Sequence, residues 1–314
     1  MSIVICLLAL SGCAGLQVTA PEHRESGLPA LTFNLSHGGQ AVYYAFDVGQ
    51  PSAGDPLIFF ISGSGCASVR PRFPAYFAPM NNLPAHVLVL QKRGIGPDST
   101  GNDCSDTFIA NDYFERIVED QRAFIDQQLK IRPSEARAII LMGASEGAMV
   151  AAKIASADRR ISHLALIGSG GATMRENLRI LAKKSWRFSA IEDTFGAVSM
   201  EPHSLSKAVH GHSYKYWNSV LDVDLGQLLL PLEIPILIAM GQNDESVPAE
   251  MAVKLKEQFD RRGKTNLTVR IFPDADHRLQ DRARSKSYAG DFLQEFAALV
   301  QATARPPADA GPAK

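Results

Sequence analysis

Apolar runs alternate with amphipathic stretches along most of the chain, and the period of each run predicts its element. Residues 31–36 and 41–48, separated by His37-Gly38-Gly39-Gln40, predict an opening hairpin. Continuous apolar runs at 56–61, 86–90 and 138–142 predict strands buried on both faces, since a strand covered by helices on each side has no polar face to show. Residues 164–167, 236–240 and 267–272 predict three more strands. Between them, Phe114, Ile117, Val118, Ile125 and Leu129 fall near one face of a helix over about 112–130. Further helices are expected over 148–157, 249–261 and 287–302. Strands alternating with helices predict an α/β fold with a mainly parallel sheet covered on both faces, which binds ligands at the carboxyl ends of its strands.

Composition narrows the function classes. The chain has 314 residues, 46% hydrophobic and 21% charged, a length compatible with two domains or one large α/β domain. With 32 Lys+Arg against 33 Asp+Glu and no long cationic run, a nucleic-acid partner is not expected, because that binding mode needs a clustered positive surface. Gly 24 and Pro 18 are ordinary and exclude collagen-like or disordered chains.

The ends differ from the body. Ile3 to Leu10 is an apolar run too short to span a bilayer, and it leads into Leu10-Ser11-Gly12-Cys13, which resembles a bacterial lipobox. That resemblance implies a signal peptide over 1–12, acylation of Cys13, a lipidated tether over 13–30 and a mature protein anchored at the cell envelope, facing an oxidising space. No Lys or Arg precedes the run, so the basic flank of such signals is missing, and an uncleaved apolar N-terminus is the alternative. Residues 303–314, rich in Pro and Ala, are expected to form a tail. With Cys6 in the signal and Cys13 lipidated, Cys66 and Cys104 remain as an even pair, bridged or free.

Candidate chemistry stands at strand ends. The 138–142 strand runs into Gly143-Ala144-Ser145-Glu146-Gly147, a G-x-S-x-G sequence followed at once by a helix. Flanking glycines permit a cramped strand-to-helix turn that presents the Ser145 hydroxyl to solvent. A serine hydroxyl needs a base to take its proton and a carboxylate to orient that base. Asp244 follows the 236–240 strand, and His277 follows the last strand through Pro273-Asp274-Ala275-Asp276. Glu245 competes with Asp244, and Asp274 and Asp276 are less suited because they share the loop of His277. The other histidines stand at no matching position, and His203, His210 and His212 lack a metal-ligand framework.

Ser145, Asp244 and His277, in that chain order and at those strand ends, resemble the α/β-hydrolase superfamily over about residues 31–302. The resemblance implies Ser145 as nucleophile, His277 as general base and acid, Asp244 as orienting acid, and no cofactor or metal. It also implies an oxyanion hole of backbone amides, one from Glu146 and one from the loop Ser62-Gly63-Ser64-Gly65, where Ser64 takes the donor position. Residues 63–68 together with Arg93-Gly94-Ile95-Gly96 look like the paired loops of proline-iminopeptidase-like hydrolases. In this fold the strands before Cys66 and Cys104 are neighbours, which implies a bridge that clamps the oxyanion loop.

The insertion at about 172–230 corresponds to the cap of this superfamily. Trp186, Phe188, Phe195, Tyr214, Tyr216 and Trp217 are expected either to wall an apolar acyl pocket or to pack the cap on the body. Its first helix carries Arg175, Arg179, Lys183, Lys184 and Arg187 against Glu176, a face for solvent, an anionic substrate or a membrane surface. The expectation is therefore a serine hydrolase acting on a small acyl substrate, an ester or thioester. A serine aminopeptidase binding a free amino terminus at Glu192, Asp193 or Glu201 is the alternative, and a catalytically silent envelope binding protein is the third reading.

Overall fold

The computed structural model describes residues 27–132 and 138–303. The expected signal segment, Cys13, most of the tether and the tail from residue 304 lie outside the described residues. Leu28 is buried, and its carbonyl accepts a hydrogen bond from Arg70 Nε at 3.0 Å, so this end of the proposed tether is fastened to the body.

In chain order the body begins with β1 (Leu31–Asn34), β2 (Gln40–Val48), β3 (Leu57–Ile61) and β4 (Ala85–Leu90). Helices α1 (Asp106–Asn111) and α2 (Phe114–Ile131) follow, then β5 (Ile139–Ala144), α3 (Glu146–Ala155) and β6 (His163–Ile167). An insertion holds α4 (Met174–Lys184), α5 (Ile191–Met200), the short hairpin β7 (Ala208–Val209) and β8 (His212–Ser213), α6 (Tyr214–Val220) and α7 (Leu225–Leu229). The chain returns through β9 (Ile236–Gly241), α8 (Glu250–Arg261), β10 (Leu267–Phe272) and α9 (Ala289–Thr303).

Eight strands form one sheet in the order β1-β2-β4-β3-β5-β6-β9-β10. The β1–β2 and β2–β4 pairs are antiparallel, and every pair from β4 through β10 is parallel. This is the mainly parallel α/β sheet expected from the alternation of elements, in the α/β-hydrolase architecture that the resemblance implied. Successive residues of each inner strand go to different cores, which explains why these strands read as unbroken apolar runs. Phe59, Leu141, Leu166 and Ile238 join a cluster with Phe124 of α2 and Val150 of α3. Ile58, Phe60, Ile140 and Met142 join the opposite cluster with Phe292 and Phe296 of α9 and with Phe73 and Phe77.

The insertion packs onto the first cluster through Leu178, Phe195, Trp217, Leu221 and Leu225. Its aromatic residues thus divide in a way the sequence left open. Phe195, Tyr216 and Trp217 are buried in that core, and Trp217 Nε1 donates to the Val209 carbonyl at 2.8 Å, whereas Trp186 is 88% exposed. Three cations of α4 are paired rather than free: Arg175 holds Asp222 at 2.7 Å, Arg179 holds Glu192 at 2.6 Å and Lys184 holds Glu250 at 2.7 Å. Among the described residues no helix is long and apolar enough to cross a membrane.

Candidate active site

Strand β5 delivers the chain into a turn that needs residues without side chains on both sides of the serine. Ser145 has φ 53° and ψ −119°, a strained conformation for a residue with a side chain. The turn holds because its flanking glycines leave room. A Cβ on Gly143 would lie 2.3 Å from the Gly147 carbonyl, and one on Gly147 would lie 2.1 Å from the Ile61 carbonyl. The amide of Ser145 is anchored to the Ile167 carbonyl at 2.7 Å, and α3 begins at the next residue. The amide of Glu146 is then the first of the helix and has no intrahelical acceptor, so it remains available to an anion.

Strands β9 and β10 bring Asp244 and His277 to the same edge. Asp244 Oδ2 lies 2.7 Å from His277 Nδ1. Its other oxygen accepts the amides of Ser246 at 2.7 Å and Val247 at 2.8 Å, and the side chain is fully buried. The carboxylate is therefore fixed in one orientation before any substrate arrives. His277 is 27% exposed at its side chain, which leaves its far edge accessible. Gly241 permits this approach, since a Cβ there would lie 2.2 Å from the Asp276 carbonyl. Gly168 sits against the His277 ring, with a Cβ position 2.9 Å from Cε1. Because Ile167 binds the Ser145 amide and Gly168 borders the His277 ring, the end of β6 draws serine and histidine to one place.

The competing acids are placed differently, Asp274 being exposed. Glu245 is exposed, and Asp276 accepts the amides of Arg278 at 2.8 Å and Gln280 at 3.0 Å, which shapes the loop that carries the histidine.

Gly63 lies against the elbow, where a Cβ would be 3.1 Å from the Ala144 carbonyl and 3.2 Å from Ser145 Cβ. Ser64, next along, is exposed. The far side of this loop is tied down three ways. A disulfide joins Cys66 to Cys104. The Ser68 amide donates to the Ser99 carbonyl at 2.8 Å, and Gln91 accepts from the Val69 amide while donating to Ser68 Oγ, each at 3.1 Å.

Three consecutive side chains after β4 reach three different parts of the fold. Gln91 holds the 62–68 loop, Lys92 donates to Glu146 Oε2 at 2.7 Å, and Arg93 forms a two-pronged bond to Asp120 of α2, both contacts 2.7 Å. The Arg-Gly sequence drew attention to residues 93–96, but nothing local marks Lys92 or its partner Asp112. Their contacts span 20 to 100 residues of sequence, and no periodicity reports them.

The three histidines 203, 210 and 212 do not converge: His210 lies beside Phe188 and Trp217, while His212 stacks on Tyr216 at 3.9 Å. Among the described residues no three His, Cys, Asp or Glu side chains are grouped to hold a metal ion. A cleft of about 520 Å³ reaches the Asp244 loop from the inserted segment and is lined by Leu181, Lys184, Phe188, Gln242 and Asn243. A larger hollow, about 820 Å³, lies along α2 near Arg122 and Leu228 and includes none of Ser145, Asp244 and His277, so its size gives it no part in this chemistry.

Fold and site together define an α/β-hydrolase of the serine-hydrolase type. The chain belongs to the prolyl oligopeptidase family, whose model matches residues 87–302. The loop resemblance had pointed instead to proline-iminopeptidase-like members. No curated protein matches the chain. Among solved structures it is similar to Est1E from Butyrivibrio proteoclasticus, at 15% identity and a TM-score of 0.59, covering 87% of this chain and 99% of that one. It is also similar to an esterase of Pyrococcus furiosus, at 14% identity and a TM-score of 0.55, covering 88% and 89%. An acylaminoacyl peptidase from Pyrococcus horikoshii matches at 12% identity and a TM-score of 0.59, over 91% of this chain but 43% of that one.

Proposed function

We propose that the protein cleaves a carboxylic ester or thioester of a small acyl substrate through an acyl-enzyme. The observation that carries this reading is the 2.7 Å contact between His277 Nδ1 and a fully buried Asp244. With Nδ1 held by that carboxylate, Nε2 takes the Ser145 proton as the hydroxyl attacks the carbonyl carbon. The amides of Glu146 and Ser64 hold the negative charge that develops on the carbonyl oxygen. His277 then passes the proton to the leaving alkoxide or thiolate, and a water activated by the same ring releases the acid and restores Ser145.

Esters are favoured over peptides because two of the three acids suited to a free amino terminus are engaged by cations, and the third, Asp193, is exposed. Glu192 is bonded to Arg179, and Glu201 to Lys207. Family membership and the acylaminoacyl peptidase neighbour keep a peptidase as the second reading. A panel of p-nitrophenyl esters of graded chain length beside aminoacyl-anilides separates the two. Faster turnover of esters supports the proposal, and preference for anilides overturns it. A catalytically silent binding protein would turn over neither.

We further propose that the protein is lipid-anchored at Cys13 on a bacterial cell envelope. The Leu10-Ser11-Gly12-Cys13 sequence supports this, and so does a Cys66–Cys104 disulfide, which persists in oxidising compartments. Mass spectrometry of the protein from membranes tests it: an acylated N-terminal Cys13 is expected, and an intact Met1 terminus would overturn the anchor.

A further inference from the structure

Beside the nucleophile lies a buried charged cluster that the hydrolytic steps leave unused. Lys92 Nζ donates to Glu146 Oε2 at 2.7 Å and to Asp112 Oδ1 at 3.1 Å. The other Asp112 oxygen lies 3.2 Å from His212 Nδ1. The Lys92, Glu146 and Asp112 side chains are 5%, 2% and 5% exposed, and His212 is 15% exposed. Each residue comes from a different part of the chain: the loop after β4, the turn between α1 and α2, the first residue of α3, and the inserted hairpin.

Stability alone does not explain this cluster. Taking an ammonium and two carboxylates out of water is costly, and apolar side chains of similar volume would fill the same space as well or better. One oxygen, Glu146 Oε1, is buried without a hydrogen-bond partner, which adds to the cost. Burial dominates at Glu146 and raises its carboxyl above the ordinary range. Burial opposes ionisation at Asp112 as well, but the His212 bond and the Lys92 charge outweigh it and hold that carboxyl below its usual value. The same two carboxylates overcome burial at Lys92 and strengthen its hold on its proton.

The ends of the cluster have clear attachments. At one end, Glu146 carries the amide next after the nucleophile. At the other, His212 belongs to the segment by which the insertion docks on the body. In that segment Ser219 Oγ accepts the Phe114 amide at 2.9 Å, and Lys215 Nζ donates to the Ala110 carbonyl at 3.2 Å. These contacts flank Asp112 on both sides.

We propose that Asp112 and Lys92 form a positioning relay through which the docked inserted hairpin, acting at His212, fixes Glu146 and thereby the oxyanion-hole amide, so that full activity requires the insertion to be seated. The proposal rests on the serine-hydrolase reading above. Its physical basis is that the Glu146 amide and carboxylate share one Cα. With Oε2 pinned by Lys92, the 145–146 peptide cannot turn without breaking a buried charged bond. Loss of the His212 contact frees Asp112, then Lys92, then Glu146. A displacement of about 1 Å at a catalytic group lowers the rate roughly a hundredfold, so a smaller shift of one donor is measurable.

The test is a double-mutant cycle on full-length protein with p-nitrophenyl acetate, using His212→Gln and Glu146→Gln, which share no hydrogen bond with each other. Removal of Lys92 would strand two carboxylates and is avoided. End-point titration with a fluorophosphonate counts competent molecules, so partial unfolding does not imitate the effect. Each single variant is expected to lower kcat per competent site about tenfold with KM within about twofold. The double variant should fall no more than about threefold below the lower single, because both changes cut one path. Independent losses that multiply to about a hundredfold, or an unchanged kcat in His212→Gln, would overturn the relay while leaving the hydrolase reading intact. Wild-type protein that neither labels nor turns over the ester overturns the hydrolase reading and the relay with it.

Discussion

Asp244 holds His277 at 2.7 Å through one carboxylate oxygen while its other oxygen takes two backbone amides, so the acid cannot turn away from the base. The arrangement fixes which ring nitrogen keeps its proton. Asp244→Asn keeps the shape, but its oxygen must stay with the two backbone amides, so an NH2 donor faces Nδ1 and forces the ring proton onto Nε2, where the ring can no longer take one from Ser145. The variant should lose about 10³–10⁴-fold in kcat with little change in KM, read from steady-state ester hydrolysis. A loss under tenfold would mean that Glu245 or another acid does this work.

The elbow depends on the absence of side chains at its flanks. Gly147→Ala places a methyl carbon 2.1 Å from a backbone oxygen of β3, where no side-chain rotation relieves the clash. Overpacking against backbone should cost about 3 kcal/mol or more, measured by urea unfolding. Gly63→Ala meets its nearest atoms only at 3.1 Å and 3.2 Å, so a stability loss of about 1 kcal/mol is expected, with a larger proportional effect on kcat.

Opening the disulfide loosens the loop beside Gly63. Cys66 and Cys104 are 38 residues apart, and closure of a loop of that length is worth about 4 kcal/mol on chain-entropy grounds. The Cys66→Ser, Cys104→Ser double variant should unfold at correspondingly lower urea concentration. Equal midpoints for variant and wild type would show that the bridge constrains nothing.

A pH effect on stability should come from His163 at the start of β6. Burial pushes its pKa down from 6.5 to about 4, and its ring is bonded to Ser162 Oγ and Thr303 Oγ1. The unfolded chain therefore binds the proton more readily than the native one between these values. Stability is complete above pH 6.5 and is lost as pH falls toward 4, by about 3 kcal/mol over that window. Urea midpoints measured across pH 4 to 7 should flatten in His163→Gln, and identical slopes in variant and wild type would contradict the assignment.

Much of this architecture is legible from local pattern. The apolar runs that become β3, β5, β6 and β9 are continuous because both of their faces are covered, and the strand-turn-helix context of Gly143 to Gly147 announces a cramped turn. Asp244 and Glu245 could not be separated that way, since adjacent residues share a loop and only the backbone path decides which one turns inward. The pairing of α4 was also hidden: Arg175 finds Asp222 across 47 residues and Lys184 finds Glu250 across 66. The Lys92, Asp112, Glu146 and His212 cluster is assembled by tertiary structure alone, and nothing in the neighbourhood of any member, not even the turn that marks the Glu146 amide, announces its side-chain contacts.

The most direct test of the central claim is the fate of Ser145. Incubation with a fluorophosphonate, followed by peptide mass spectrometry, should find one adduct, on the peptide carrying Ser145, with loss of ester hydrolysis in proportion. The same treatment of Ser145→Ala should leave the protein unlabelled and inactive. Labelling at another residue, or ester hydrolysis that survives in Ser145→Ala, would contradict the account.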